Sequence, residues 1–505
     1  MKKFINSVLI SAFISSAFLF AAGYYYKGLG SDGGWYSYPA LSLSRGGSAV
    51  ENLETIGKLE STEGVKTLFG FKTYASVRTL YTMLWFKYVS RSIYFLKILS
   101  LVELLALFTC VYFLIRKFCT DKTVAIILLA LFINDKNLIL NAAGDFRPDN
   151  ILACFACLTF LALIPKEKAI SLISAVCSGC LLMLIHPTAA VPFACITGFF
   201  IFQNIFSKRF SLKDNYKYVI FGICGVLVFM YRGVIFENLF LTGSEIQLAE
   251  GANLREGLFR ALGEGLPSIL SKEIYRWKTY FFISNAAQLI VLVIALALFF
   301  RQPRSLILRD KTGLAILSSI ILGFILFAVL DPHRSDMHVI PIIPFFFVML
   351  SHTMKSCRKN VTYIILGLVC FSILSSTALA GKIIIRGKRS GYNIRTASIA
   401  LNEIFRDKNH EYMIAGPAEI WPFIEEDKNV LIIDKTRTGQ GFNMLEPVID
   451  SIDYLVVNRD YSRYRWEERF LQHFQEKRLD RITRIGGGEE FIKIFEIGRK
   501  QSPDD

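Results

Sequence analysis

The residues of this sequence that could carry chemistry lie in short polar segments between long apolar runs. One segment, Asp145–Asp149, holds an arginine between acidic residues, and another, 331–338, holds five ionisable side chains in eight positions. A carboxylate can remove a proton from a hydroxyl, and arginine or histidine can hold a phosphate. The sequence therefore offers groups for chemistry on a hydroxyl and a phosphate. These candidates are Asp32, Asp145, Arg147, Asp149, His186, Glu237, Asp331, His333, Arg334, Asp336 and His338.

The two best-defined candidates also have interpretations without chemistry. Asp32 lies between glycines, which let a loop approach a substrate closely but would also suit an ordinary turn. Arg147 and Asp149 would serve equally well as an ion pair that caps a helix, with Pro148 in its first turn.

The segment 331–338 and one buried carboxylate have alternatives of the same kind. The segment would equally form a solvated loop, and Pro332 disfavours the helix that a metal site from His333 and His338 would need. Glu103 falls inside an apolar run, where a carboxylate is a functional candidate by default. Its alternative is a structural hydrogen bond to another helix, and no partner can be named from the sequence.

Composition decides what kind of scaffold holds these residues. The chain has 505 residues, of which 53% are hydrophobic. Several apolar runs approach the roughly 20 residues that cross about 30 Å of hydrocarbon as a helix. We therefore predict a multi-pass α-helical membrane protein with about 11 transmembrane helices. The predicted runs are 4–22, 93–115, 123–140, 150–164, 169–186, 188–206, 217–236, 284–301, 313–330, 337–353 and 361–380.

The basic residues predict how the chain is oriented. With the N-terminus in the cytoplasm, each inner loop holds at least two lysines or arginines, whereas the short outer loops hold few. An odd number of spans then puts the C-terminus outside, and we expect a bacterial inner membrane with a periplasmic C-terminal domain. The net charge of +15 is explained by inner loops and anionic lipid, so we expect no nucleic-acid partner.

Two parts of the chain differ in their pattern of apolar residues. Residues 1–380 form the predicted transmembrane module, with long external loops at 23–92 and 237–283. Residues 381–505 alternate short strand-like and helical patterns, which predicts a soluble α/β domain. Its predicted elements are the strands Tyr412–Ala415, Val430–Ile433, Tyr454–Val457 and Phe491–Glu496 and the helices Thr396–Phe405 and Trp466–Gln475.

Several motifs together resemble a known family of membrane enzymes. The segment 30–40 is similar to the acidic, aromatic first external loop of polytopic glycosyltransferases of the GT-C fold, which include protein O-mannosyltransferases and lipid A aminoarabinose transferases. The stretch 80–89 is similar in texture, and Arg147-Pro148-Asp149 matches a motif of many bacterial members. The segment 338–344 resembles the proline-marked start of a late helix. In one departure, Asp32 is followed by Gly33, whereas many members have two adjacent acidic residues there.

The resemblance implies a transfer reaction at the outer face of the membrane. A polyprenyl-phosphate-linked sugar would be the donor, and the acceptor would be a hydroxyl of a lipid, glycan or protein. The resemblance also implies inversion, no cofactor and no divalent metal. In this scheme Asp32 is the general base, and Arg147 and Arg334 hold the phosphate with help from His333 or His338. Asp149 orients either Arg147 or the acceptor. Asp145 is a further candidate for binding the substrate.

Two other classes of function compete with the transferase. A transporter or flippase of a lipid-linked or polar solute would usually show repeated halves and broken helices near the bilayer midplane. The sequence has no obvious internal repeat, and its polar candidates lie at one face. A non-catalytic partner of a cell-envelope enzyme complex is the third class, and the outer cluster of charges argues against it.

Overall fold

The computed structural model of the chain describes most of the transmembrane part and the central strands of the C-terminal part. The described residues are 2–27, 37, 40, 44, 77–90, 92–164, 168–207, 212–240, 263, 265, 267–330, 337–354, 359–391, 393–405, 413–417, 429–433, 452–458, 472, 479–487 and 490–497.

Every predicted apolar run coincides with a helix or with two consecutive helical segments. The helices are α1 (Lys2–Tyr26), α2 (Val77–Tyr88), α3 (Ile93–Phe118), α4 (Lys122–Ile133), α5 (Lys136–Leu140), α6 (Asp149–Leu163), α7 (Lys168–Ile185), α8 (Ala190–Phe206), α9 (Leu212–Phe240), α10 (Pro267–Ser284), α11 (Ala286–Phe300), α12 (Arg304–Arg309), α13 (Lys311–Leu330), α14 (Ile343–Met354), α15 (Lys359–Ser390) and α16 (Ile394–Phe405). Turns of π-helix occupy Asn141–Asp145 and Lys278–Ser284, and turns of 3₁₀-helix occupy Pro187–Ala189 and Met337–Ile342.

The lengths of these helices fit a protein that crosses the membrane several times. Among the described residues, five helical segments are long and apolar enough to span, and two bent pairs bring the number to seven. Four shorter apolar helices account for the remaining predicted runs. The chain is therefore an integral, multi-pass membrane protein, as the composition predicts.

The helix α4 lies at the centre of the bundle. Nine of its twelve residues are buried, because α1, α3, α14 and α15 all pack against it. A helix that is apolar and buried on all sides is typical of the core of a membrane bundle. The helices α8 and α13 form one further close pair, and α6 and α7 form another. The end of the bundle where α1 ends and α6 begins carries the described candidates Arg147, Asp149, His186 and His338, and we call it the site end.

A glycine allows α15 to approach α1 closely. A Cβ atom placed at Gly387 would overlap the ring of Tyr26, so any larger residue would force this ring to move. Such contacts let two helices pack along most of their length. The helix α15 also continues past residue 380, the predicted start of the C-terminal domain, and ends at Ser390.

The described residues of the C-terminal part form a mixed sheet of five strands. Its strands are β1 (Met413–Pro417), β2 (Asn429–Ile433), β3 (Tyr454–Asn458), β4 (Leu479–Gly487) and β5 (Glu490–Ile497), in the order β2-β1-β3-β5-β4. The strand β1 is parallel to both of its neighbours, whereas β5 is antiparallel to β3 and β4.

The sheet matches the sequence prediction, with one addition. The four predicted strands each agree with an observed strand to within two residues at either end. The strand β4 was not predicted, because Arg481 and Arg484, three residues apart, interrupt its apolar alternation. The predicted helix Thr396–Phe405 corresponds to α16, and of the predicted helix Trp466–Gln475 the structure describes only residue 472.

Candidate active site

Arg147 and Asp149 form an ion pair at the site end. A π-helical turn follows α5, and Phe146 then takes the left-handed conformation with φ of 47°. The chain therefore turns sharply, and the Arg147 backbone N–H donates to the Asn141 side-chain oxygen at 3.1 Å. The Arg147 Nε then lies 2.8 Å from the Asp149 Oδ2 in the first turn of α6.

Asp149 is almost wholly buried, whereas the Arg147 side chain keeps 12% of its surface exposed. A carboxylate at the beginning of a helix is favoured by the helix dipole, and it fixes the guanidinium beside it. The pair predicted from the sequence is therefore present. Its geometry suits both a helix cap and an arginine held ready for an anion.

A second arginine, which is fully buried, contacts the 146–149 turn from α2. Arg78 of α2 donates to both oxygens of Glu103, from Nε at 2.9 Å and from Nη2 at 2.7 Å. Its Nη1 donates to the Phe146 carbonyl oxygen at 2.5 Å, and its guanidinium lies 3.8 Å from the centre of the Phe146 ring. This two-point pairing satisfies the buried carboxylate, so Glu103 has the partner that the sequence could not name.

Tyr81 completes the surroundings of Glu103. Its hydroxyl donates to the Oε1 of that carboxylate, and it lies three residues after Arg78 on one face of α2. Burial, followed by the nearby Glu103 charge, raises the pKa of Tyr81 well above its usual value. Tyr81 therefore remains a neutral hydrogen-bond donor. Together, Arg78, Tyr81 and Glu103 form a buried hydrogen-bonded cluster that supports the 146–149 turn.

Two histidines approach each other at the same end of the bundle. The ring of His338 is buried at the start of the 3₁₀ segment Met337–Ile342, and its centre lies 6.2 Å from that of His186. His186 Nδ1 lies 2.7 Å from the Thr188 hydroxyl and accepts from the Thr188 backbone N–H at 3.2 Å. The 3₁₀ segment and α7 both pack against α6, the helix that begins with Asp149.

A third buried arginine lies on α10, where sequence analysis did not find a candidate. Arg276 is fully buried, with its Nη1 2.9 Å from the Glu273 Oε1 and its guanidinium 5.4 Å from the ring centre of Phe327. The Trp277 indole also donates to Glu273 at 3.0 Å. Among the described residues of the site end, Arg78 and Arg276 are wholly buried arginines, in addition to the partly exposed Arg147.

The structure does not describe every predicted site residue. Asp32, Asp331, His333, Arg334 and Asp336 lie outside the described residues. For Asp145 and Glu237 the backbone is described, in the π-helical turn and in α9, but the side chains are not. Of the predicted set, the structure brings together Arg147 with Asp149 and His186 with His338.

Comparisons with known proteins bear on the fold. No family model matches the sequence, and no curated protein matches it. The crystal structure of ArnT from Cupriavidus metallidurans bound to undecaprenyl phosphate superposes with a TM-score of 0.52 at 10% identity, covering 97% of both chains.

Two further crystal structures match less closely. Apo ArnT from the same organism gives a TM-score of 0.48 at 9% identity, over 97% of this chain and 98% of that one. An oligosaccharyltransferase from Archaeoglobus fulgidus, in complex with Zn and sulfate, gives 0.45 at 13% identity, over 91% of this chain and 69% of that one. The superposition on undecaprenyl phosphate-bound ArnT includes the helical bundle and the C-terminal part alike, so the chain has the GT-C fold predicted from its sequence.

Proposed function

We propose that this protein is a glycosyltransferase that moves a sugar from a polyprenyl-phosphate-linked donor to an acceptor hydroxyl at the outer face of the membrane. The observation that carries the proposal is the match, over 97% of both chains, to an ArnT structure that contains undecaprenyl phosphate. The ion pair and the two histidines at the site end support it, because they bring groups that bind anions to one end of the bundle.

The proposed reaction is a single displacement. The acceptor oxygen attacks the anomeric carbon, a new glycosidic bond forms, and the bond from that carbon to the phosphate oxygen breaks. The polyprenyl phosphate leaves with the bonding electron pair, and the proton of the acceptor hydroxyl passes to Asp32. Attack from the face opposite the leaving phosphate inverts the configuration. The departing phosphate needs fixed positive charge and no cofactor.

Arg147 is our leading candidate to hold the departing phosphate. Its guanidinium is anchored by Asp149, and its backbone is held by Asn141. A cation fixed in this way stabilises developing negative charge without the cost of reorganising. His338, His333 and Arg334 would assist from the neighbouring segment, and Asp145 would contact donor or acceptor.

The proposed orientation follows the distribution of basic residues. The N-terminus would lie in the cytoplasm of a bacterial cell, and the C-terminal sheet in the periplasm. The site end would then face the periplasm, where a cell-envelope lipid, glycan or protein could supply the hydroxyl. The external loops 23–92 and 237–283 would border the same face.

The test is mass spectrometry of envelope lipids and glycans from cells that carry the wild-type chain, no chain, or Asp32→Asn. We expect one sugar to disappear from one species in both the deletion and the variant. Asp121→Asn is the matched control, because Asp121 caps α4 at the opposite end of the bundle and asparagine is an equally good cap. It should leave the glycans unchanged.

Two results would reject the proposal in different ways. Normal glycosylation with Asp32→Asn, in a variant present at the wild-type level, would remove Asp32 as the base. An unchanged set of glycans in the deletion, with a lipid or solute redistributed across the membrane, would replace the transferase by a transporter.

A further inference from the structure

Two helix breaks meet inside the bundle at the side of the candidate site. The helix pair Lys122–Ile133 and Lys136–Gly144 is bent by 48°, and the pair Pro267–Ser284 and Ala286–Phe300 is bent by 110°. Asp135 occupies the first break and Asn285 the second. The Asn285 Nδ2 donates to the Asp135 Oδ1 at 3.1 Å, and the Lys136 backbone N–H donates to the Asn285 Oδ1 at 3.1 Å. Each break therefore binds the other reciprocally.

Asp135 is the centre of this junction. Its side chain is fully buried, and it accepts five hydrogen bonds. The backbone N–H groups of Asn137 and Leu138 donate at the start of α5. From the other break, Tyr280 donates at 2.5 Å and Gln288 at 3.1 Å, in addition to Asn285.

Such a carboxylate holds its surroundings tightly. Oriented side-chain donors and the beginning of α5 stabilise the buried charge, and a donor that moved away would leave part of that charge unsatisfied. The two breaks can therefore shift together more easily than they can shift apart. The Lys136 ammonium adds a link to α15 through a 2.6 Å hydrogen bond to the Ser375 hydroxyl.

The junction connects two segments that carry arginines of the site end. From the first break, α5 and the π-helical turn lead directly to Arg147. On the other side, Tyr280 lies one helical turn after Arg276 on α10, the helix that ends the external loop 237–283. We infer that Asp135 is a positioning residue, which fixes the α10 segment relative to the Arg147 turn so that both present one preformed site to a lipid phosphate. The phosphate part of this inference rests on the proposed function.

The experiment compares Tyr280→Phe with the matched control Tyr218→Phe, a tyrosine of α9 that is remote from both breaks. Hydrogen exchange measured by mass spectrometry reports local opening of the full-length protein. We expect faster exchange in 267–284 for Tyr280→Phe only, because that variant loses one of the donors to Asp135. Asp135→Asn provides a second variant. Asparagine keeps the shape of the side chain and can still cap α5, but its amide NH2 group cannot accept the hydrogen bonds that the carboxylate accepts.

Binding of a sugar-free polyprenyl phosphate provides the second measurement. We expect Tyr280→Phe to weaken binding about tenfold, the size of effect that accompanies loss of a hydrogen bond to a charged acceptor. The KM for the donor should rise by a similar factor while kcat stays nearly constant, because the loss lies in binding and not in the transition state alone. If Tyr280 only stabilised the fold, its loss would lower the melting temperature without raising KM selectively over kcat.

The outcomes separate the inference from the proposed function. Exchange in 267–284 equal to that of Tyr218→Phe would overturn the junction, and so would an increase spread evenly over all helices. Wild-type affinity in Tyr280→Phe would overturn the positioning role alone. A wild-type protein that binds no polyprenyl phosphate would reject the donor of the proposed function, and the phosphate part of the inference with it.

Discussion

The Arg78 guanidinium holds Phe146 at two points, donating to its carbonyl oxygen at 2.5 Å and covering its ring at 3.8 Å. Phe146 has a φ of 47°, a conformation that costs about 1–3 kcal/mol for a residue with a side chain. The contact from α2 offsets this cost. The position of Arg147, the next residue, therefore depends on a helix nearly seventy residues earlier in the chain.

Arg78→Lys should destabilise the protein although it keeps the positive charge. Lysine cannot make the two parallel hydrogen bonds to Glu103 together with the third to Phe146. We expect a loss of roughly 2–4 kcal/mol, measured by thermal unfolding in detergent. Arg116→Lys, at the opposite end of α3, is the control and should stay within about 0.5 kcal/mol of wild type. Equal melting temperatures for both variants would contradict the role of Arg78.

Glu103→Gln should be more harmful than Tyr81→Phe. The glutamine leaves the buried Arg78 without its countercharge, which costs about 3–5 kcal/mol. The phenylalanine removes a single donor and should cost about 1.5–3 kcal/mol, because the acceptor is charged. Unfolding of each single variant and of the double variant measures the coupling. Additive losses would show that Tyr81 and Glu103 act independently, against the hydrogen bond between them.

Gly387→Ala tests the close packing of α1 and α15. The added methyl group would overlap the Tyr26 ring, so we expect a loss of about 1–3 kcal/mol. Gly381→Ala is a matched control on the same helix, because a Cβ there meets no atom within 4 Å. That change should be neutral or should stabilise by about 0.5–1 kcal/mol. If both glycines tolerate alanine alike, the two helices are not in contact at Tyr26.

Asp149→Asn should reduce transfer more than it reduces stability. The amide still caps α6 but holds the Arg147 guanidinium weakly, and a misplacement of about 1 Å can cost roughly 10²-fold in rate. Initial rates with a polyprenyl-phosphate sugar donor measure this effect in purified protein. Arg147→Lys should show a comparable decrease, since a lysine cannot hold a phosphate with two parallel bonds. Wild-type rates for both variants would remove this pair from the proposed site.

The sequence was sufficient for the helices but not for the contacts between them. Long apolar runs identify membrane helices from composition alone, so all the predicted runs correspond to helical segments. The Arg78–Glu103 pair could not be predicted, because Arg78 lies in the segment before α3 and only the folded chain brings the two residues together. The break at Asp135 left a signal in the polar tetrad Asn134-Asp135-Lys136-Asn137. Hydropathy averaged over a long apolar run conceals a polar interruption as short as this one.

Because α15 is one continuous helix, it fixes the orientation of the sheet relative to the bundle. The helix has 32 residues and contacts both α1 and the strands β4 and β5. Each residue of an α-helix advances about 1.5 Å and turns about 100°. One residue deleted between 381 and 386 would therefore rotate the whole sheet by about 100° around the axis of α15. Seven inserted residues would return its facing to within about 20°, while lifting it roughly 10 Å from the bundle.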